Sequence, residues 1–114
     1  MTISAFLQKL KNNPSSISFK DTMGVIEDNY NFVPVRFING KLVNEEGQNS
    51  GSCKIFSFAK RYALNEKETL DCFGDYYRID VLQNPKGEDH QNIRNFIQNG
   101  WEAISFEKEA LSKK

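Results

Sequence analysis

The sequence predicts a single α+β domain, with helices packed on one side of a small antiparallel sheet. Three patterns lead to this prediction. Apolar residues recur with helical spacing near the N-terminus, period-two alternation surrounds an Asn-Gly pair, and a helix with a wide apolar face follows. These elements must bury their apolar faces against one another. At 114 residues the chain supports one core, so we expect residues 1–114 to form one domain.

Two amphipathic helices are predicted within the first 30 residues. The first has apolar residues at i, i+3, i+4 and i+7: Ile3, Phe6, Leu7 and Leu10. Thr2 or Ser4 can cap this helix, and Pro14 ends it. Ser18-x-x-Asp21 resembles a capping box for the second helix. Its predicted buried stripe is Phe19, Thr22, Met23, Ile26 and Tyr30.

A β-hairpin is predicted at about residues 33–44, because apolar side chains alternate on both sides of Asn39-Gly40. With Asn39 and Gly40 as the two-residue loop, Phe37 would lie opposite Leu42 and Val35 opposite Asn44. Pro34 indicates that its strand is an edge strand or begins late. A last strand is predicted at about 101–106, and the charged tail 107–114 is expected to fray.

The helix that follows the hairpin is predicted to be central and to run to about Ala63. Its polar stripe is narrow and consists of Lys54, Ser57 and Arg61. We expect the following residues to share one core: Phe56, Ala59, Phe37, Leu42, Ile93 and Phe96.

Further helices are predicted in the C-terminal half. Asn65-x-x-Glu68 begins one that Gly74 weakens, and a second helical piece covers about 76–82. Asp89 is expected to cap the next helix, whose inward residues would be Ile93, Phe96 and Ile97. Asn99-Gly100 is expected to end it.

Composition excludes several classes of function. Acidic and basic residues balance at 15 each, which argues against a nucleic-acid partner. No apolar run is long enough to span a membrane, and no signal peptide is recognisable, so we expect a bacterial cytoplasmic location and no membrane partner. Two cysteines are too few for a disulfide framework and are expected to be reduced.

The start of the central helix is the first candidate binding site. Free amide groups there, together with Lys54 and nearby serine hydroxyls, could hold a phosphate or a carboxylate. The candidate residues are Asn49, Ser50, Gly51, Ser52 and Lys54. The spacing does not fit a P-loop. The alternative is that Ser50 or Ser52 simply caps the helix and Gly51 makes the turn.

Cys53 and His90 are the candidates for catalysis. Cys53 lies in the first turn of the central helix, where the dipole lowers the pKa of a thiol and would make it react faster than Cys72. His90 could act as its base, oriented by Asp89 or Asn92. The alternative makes Cys53 a small buried hydrophobe and His90 a helix-start residue bonded to Asp89.

A second candidate surface combines Tyr76, Tyr77, Arg78 and Asp80 with Arg94, which together could line a polar groove. Asp89 is a further candidate binding residue. The alternative is a structural network of half-buried tyrosines and ion pairs. One histidine and two cysteines 19 residues apart do not make a ligand set, so no metal is expected. No cofactor is expected either.

Several blocks, among them GSCKIF, CFGDYYR and DHQNIRNF, resemble the HopJ family of type III effector proteins, known from plant-pathogenic pseudomonads. The resemblance covers nearly the whole chain. It implies secretion into a host cell by a type III system, but it implies no particular reaction.

Two functions therefore follow from the sequence. The first is a HopJ-like protein that acts through a surface binding an unknown protein or a small anionic ligand, and we do not expect it to be an enzyme. The alternative is a housekeeping cytoplasmic protein with an anion- or thiol-based site at the start of the central helix.

Overall fold

Five α-helices and five short strands form an α+β domain, as the sequence predicts. The structure is a computed structural model that describes residues 1–114. The helices are α1 (Ile3–Asn12), α2 (Phe19–Asn29), α3 (Ser50–Arg61), α4 (Glu66–Asp71) and α5 (Gln91–Asn99). The strands are β1 (Tyr30–Phe32), β2 (Phe37–Asn39), β3 (Leu42–Asn44), β4 (Ile104–Phe106) and β5 (Leu111–Lys113). Two 3₁₀ turns (Pro14–Ser16 and Gly100–Ala103) and a π-helical turn (Tyr76–Val81) complete the chain.

The strands form two antiparallel sheets instead of the single predicted one. Three strands are ordered β3-β2-β4, and a separate pair joins β1 to β5. The prediction that residues 107–114 fray is therefore wrong. Leu111 pairs with Phe32, and Ala110 and Leu111 are both buried. Two apolar residues in the middle of this charged tail hold it against the core.

The hairpin is present, but its register differs from the prediction by one residue on each strand. Asn39 pairs with Leu42 and Phe37 pairs with Asn44, so the loop is Gly40-Lys41. Gly40 has a φ of 64°, and Lys41 has no positive φ. This is the pattern of a type II′ turn, which needs glycine only at its first central position. The strand begins at Phe37, after Pro34, and it is the central strand of its sheet.

The N-terminal helices begin as predicted. Thr2 caps α1, since the Ala5 amide donates to its hydroxyl at 3.0 Å. Ser18 and Asp21 form the capping box of α2, with reciprocal bonds of 3.0 and 3.1 Å. Tyr30 is buried, but it begins β1 and does not continue the helix.

Helix α3 occupies the centre of the core, as its apolar face predicts. Phe56 has no exposed surface, and its ring lies 5.0 Å from Phe96, 5.5 Å from Phe73 and 6.1 Å from Phe37. Leu42 is the exception among the predicted core residues. It is only partly buried and lines a cleft.

The C-terminal half contains one confirmed helix start and two corrections. Asn65 and Glu68 form a capping box for α4. The predicted last strand covers only 104–106, because Trp101 lies in a 3₁₀ turn where its indole N–H donates to the carbonyl of Leu64 at 3.0 Å. Ile97 was expected to point inward, but it is 43% exposed. The buried face of α5 is narrower than its apolar pattern suggests.

Gly74 does more than weaken a helix. Its φ is 62°, and a Cβ at this position would lie 2.6 Å from the backbone nitrogen of Phe19. Only glycine meets both requirements. This close approach brings the start of α2 against the turn that leads to the π-helical segment.

None of the helices has the length and apolar character that crossing a membrane would require.

Candidate functional site

The N-termini of α3 and α5 converge on one cleft of about 460 Å³, which we call the interhelical cleft. Its apolar wall consists of Phe19, Leu42, Phe73, Tyr76 and Ile93. Its polar lining consists of Asn49, Ser52, His90, Gln91 and Asn92, with Gly51 between them. No lysine, arginine, aspartate or glutamate lines it. A concave surface with few, convergent polar groups is the usual form of a small-molecule site.

The two helices that meet at the cleft begin in the same unusual way. The residues that precede their first turns, Asn49 and His90, both have a φ of 51° and lie in the left-handed region. Neither side chain caps its helix. The amides of residues 50–52 and 91–93 consequently make no hydrogen bond within the chain. Two positive helix ends with free donors therefore meet at one place.

A buried network of asparagine side chains joins these helix starts to the hairpin. Asn44 accepts hydrogen bonds from Asn49 at 2.7 Å and from Asn92 at 2.9 Å, and it donates to Asn92 at 3.2 Å. Asn39 donates to the Asn92 carbonyl at 2.8 Å. Asn39 and Asn44 have no exposed surface. The sheet thus fixes the separation of the two helix starts.

Sequence reasoning missed this network. Asparagine is uncommon in strands, yet two of these residues lie in β2 and β3. Two asparagines at strand positions on either side of a tight turn were the available signal. The predicted hairpin register placed Asn39 in the loop, so the pair of strand asparagines was not recognised.

Aromatic rings build the wall beside His90. The Tyr76 ring lies 5.0 Å from Phe19 and 5.1 Å from His90. His90 Nε2 lies 3.0 Å from a carboxylate oxygen of Asp80, which belongs to the π-helical turn. The imidazole is therefore held between an aromatic ring and a carboxylate.

Cys53 lies apart from His90 and does not line the cleft. It is 2% exposed, and its sulfur faces the carbonyl oxygen of Val35 at 3.9 Å. Burial raises the pKa of this thiol, which opposes the lowering expected from the helix start alone. The structure thus does not assemble the Cys53–His90 pair that the sequence suggested.

Only some of the other residues predicted around the start of α3 line the cleft. Lys54 points away from the cleft, with its ammonium 3.6 Å from Glu27 and 4.9 Å from the ring centre of Phe32. Ser50 lies in the first turn, and neither serine caps the helix. Gly51 does not make a turn. A Cβ there would lie 2.9 Å from the ring of Phe19, so glycine allows α2 and α3 to approach closely.

Of the second predicted surface, Tyr76 lines the interhelical cleft, whereas Tyr77 and Arg78 are engaged within the protein. Tyr77 is buried, and Arg78 donates to the carbonyls of Pro14 and Ile17. It also lies 3.6 Å from the buried carboxylate of Asp71. These contacts fix the loop after α1 onto the π-helical turn.

Asp89 was expected to cap α5, but it does not. Its carboxylate accepts a hydrogen bond from Arg94 at 2.6 Å, and this guanidinium holds the pKa of Asp89 below its usual value. Arg94 also donates to the carbonyl of Asn84 at 2.8 Å. Asp89 and Arg94 close the loop before α5, and neither lines the interhelical cleft.

The fold and the site together describe a small α+β domain with an uncharged, amide-lined cleft between two helix starts. The sequence model of the family described as HopJ type III effector protein matches residues 3–111. The chain belongs to the HopJ family.

A solved structure of high similarity is the crystal structure of VPA0580, which is described as a protein of unknown function. The two sequences are 52% identical, and the match covers 100% of this chain and 95% of the other. The two structures superpose with a TM-score of 0.98. No curated protein matches the chain.

Proposed function

We propose that this HopJ-family protein acts by binding, and that the interhelical cleft receives a small ligand carrying a carboxylate or phosphate group. The convergence of two uncapped helix N-termini on one cleft carries this proposal. Six amide donors from residues 50–52 and 91–93 lack partners within the chain. An anion at a helix start is the ordinary partner for such groups.

The charge of the cleft favours a ligand with a small negative charge. Each helix start carries roughly half of a positive elementary charge. Two of them sum to about one charge, and no lysine or arginine adds to it. A monocarboxylate or a phosphate monoester fits this field better than a polyphosphate does. Phe19 and Tyr76 would pack against the apolar part of such a ligand.

Binding is favoured over catalysis because the thiol and the imidazole do not meet. Cys53 is buried with a raised pKa, and His90 is bonded to Asp80. A role for His90 in orienting the ligand fits its position beside Tyr76.

The test uses inorganic phosphate and benzoate as probes, followed by amide chemical shifts in ¹⁵N NMR. Saturable shifts at residues 50–52 and 91–93 are expected for at least one probe. Replacing Ser52 with glutamate places a carboxylate among the donors, so Ser52→Glu should weaken binding about tenfold or more. A helix start tolerates an acidic residue, so this variant should stay folded.

Ser52→Gln is the matched control, since it has the same size without the charge. It should weaken binding less than Ser52→Glu does. Absence of saturable shifts, or equal affinities for the two variants, would contradict the proposal.

The two candidate roles of the protein differ in where it acts. The family supports delivery into a host cell by type III secretion. The alternative is a housekeeping role in the bacterial cytoplasm with the same cleft. Finding a type III secretion cluster in the source genome supports delivery. A genome without one rules delivery out, because no machine would export the protein.

A further inference from the structure

A second cleft lies where the last turn of α3 meets the segment that joins β4 to β5. It encloses about 390 Å³, and we call it the basic cleft. Lys60 and Arg61 line it from the helix, and Lys108 and Glu109 line it from the connecting segment. Phe106 and Leu111 contribute apolar surface.

The cations of the basic cleft are not neutralised within the protein. Lys60, Arg61 and Lys108 have no carboxylate oxygen within 4.0 Å, although Glu109 lines the same cleft. The Lys60 ammonium lies 5.8 Å from the ring centre of Phe106, and the Arg61 guanidinium lies 5.0 Å from that of Tyr30. The lining therefore has two positive charges in excess, in a chain whose net charge is zero.

The helix dipole accounts for part of this arrangement. Lys60 and Arg61 lie in the last turn of α3, where cations are stabilised by the negative helix end. It does not account for Lys108, which a different segment brings to the same concave surface. Nor does it account for the apolar lining between the charges.

We propose that the basic cleft binds a small amphipathic anion, a carboxylate or phosphate attached to a short apolar group. The anionic group would lie among Lys60, Arg61 and Lys108, and the apolar group would pack on Phe106 and Leu111. This site is separate from the interhelical cleft, with which it shares no lining residue.

Octanoate is the probe, followed by ¹⁵N NMR at low ionic strength. Saturable shifts are expected at residues 57–61 and 106–111, with an affinity of their own that is independent of any shifts octanoate causes at the interhelical cleft. The double variant Lys60→Gln/Lys108→Gln should weaken binding about tenfold. The control Lys41→Gln/Lys86→Gln removes the same charge from exposed sites outside the cleft and should leave affinity unchanged.

Glu109→Gln gives a test with the opposite sign. Removing the one negative charge of the lining should tighten octanoate binding about two- to fivefold. Raising the salt to about 0.5 M should weaken binding, since screening shortens the reach of exposed charges. A purely structural role for the cations predicts neither effect.

The outcomes separate this proposal from that for the interhelical cleft. Shifts at residues 50–52 and 91–93 report only on the interhelical cleft. The basic cleft is refuted if 1-octanol binds as tightly as octanoate, if the cation variant binds unchanged, or if no saturable shift appears. Inorganic phosphate as a second probe tells whether the charge alone suffices or the apolar group is needed as well. Equal affinity for inorganic phosphate and octanoate would contradict the amphipathic ligand.

Discussion

The side chains of Asn44 and Asn92 exchange two hydrogen bonds, at 2.9 and 3.2 Å, in the interior of the protein. Asn44 ends β3, and Asn92 lies in the first turn of α5. The Asn44 oxygen, which accepts one of these bonds, accepts a second hydrogen bond from Asn49, which precedes α3. One buried amide therefore sets the relative positions of both helix starts at the interhelical cleft.

Asn44→Ala should lower the free energy of unfolding by about 3 kcal/mol. The substitution leaves the buried Asn92 Nδ2 without its acceptor. An unsatisfied buried polar group costs about 1–3 kcal/mol, to which the lost bond from Asn49 adds. Urea unfolding gives the measurement. Asn12→Ala is the control, because Asn12 is exposed and the change should fall within about 0.5 kcal/mol. A loss under about 1 kcal/mol at Asn44 would show that the network contributes little.

Phe56→Ala should destabilise the protein by about 3–5 kcal/mol, because it removes the ring that contacts Phe37, Phe73, Phe96 and Trp101. The Trp101 indole lies 6.2 Å from this ring, so tryptophan fluorescence reports on the same site during urea unfolding. Ile97→Ala on the exposed side of α5 should have a much smaller effect. Comparable losses for the two variants would refute the central position of α3.

Both thiols should react slowly with iodoacetamide in the folded protein. Cys53 is 2% exposed and Cys72 has no exposed surface, and burial raises the pKa of each. Mass spectrometry of the labelled protein, with the urea-unfolded chain as reference, measures the two rates. Cys53 labelling in the folded protein at the unfolded rate would mean that the helix start controls this thiol after all.

The free energy of unfolding should fall as the pH rises above about 9. The ordinary pKa of each thiol is 9.0, and burial raises it in the folded state. Above that pH the unfolded chain releases protons that the folded protein keeps, so stability present below pH 9 is lost progressively. Each buried thiol contributes up to about 1.4 kcal/mol per pH unit. Burial also raises the pKa of Tyr62, to about 12, which adds a loss of the same sign above its ordinary value of 10.0.

Cys72→Ala tests this pH dependence directly. The variant removes one titrating group from the unfolded chain, so its stability should fall less steeply with alkaline pH than that of the parent protein. Urea unfolding at about pH 8, 9 and 10 compares the slopes. Identical slopes would rule out the Cys72 thiol as a source of the pH dependence.

Local signals in the sequence predicted the caps of α1, α2 and α4, but not the starts of α3 and α5, which have no side-chain cap. Thr2, the Ser18–Asp21 pair and the Asn65–Glu68 pair cap the helices that their patterns indicate. The reason is that a cap depends on residues three positions apart and needs no partner from elsewhere in the chain. The apolar arc of α3 gave its central position in the same way.

Contacts between distant segments were not predictable in this way. The pairing of β5 with β1 and the burial of Cys53 depend on which surfaces meet after folding. The site shows the same division. Of the residues proposed around the start of α3, Asn49, Gly51 and Ser52 line the interhelical cleft. His90 lines it too, but the sequence did not place the start of α5 there. Lys54, Arg78 and Arg94 were predicted to bind a ligand. In the structure their charges are paired with those of Glu27, Asp71 and Asp89, respectively.

The β1–β5 pair also has a consequence for synthesis on the ribosome. Its strands are roughly 80 residues apart in sequence, and Lys113 must lie opposite Tyr30 before the pair is complete. While the chain is being translated, β1 emerges early and waits with an open hydrogen-bonding edge. The nascent chain can build α1, α2 and the hairpin before its C-terminal strand leaves the exit tunnel, but it cannot close this sheet. Until β5 has emerged and paired, the edge of β1 is a place where a chaperone, or a neighbouring nascent chain, can bind.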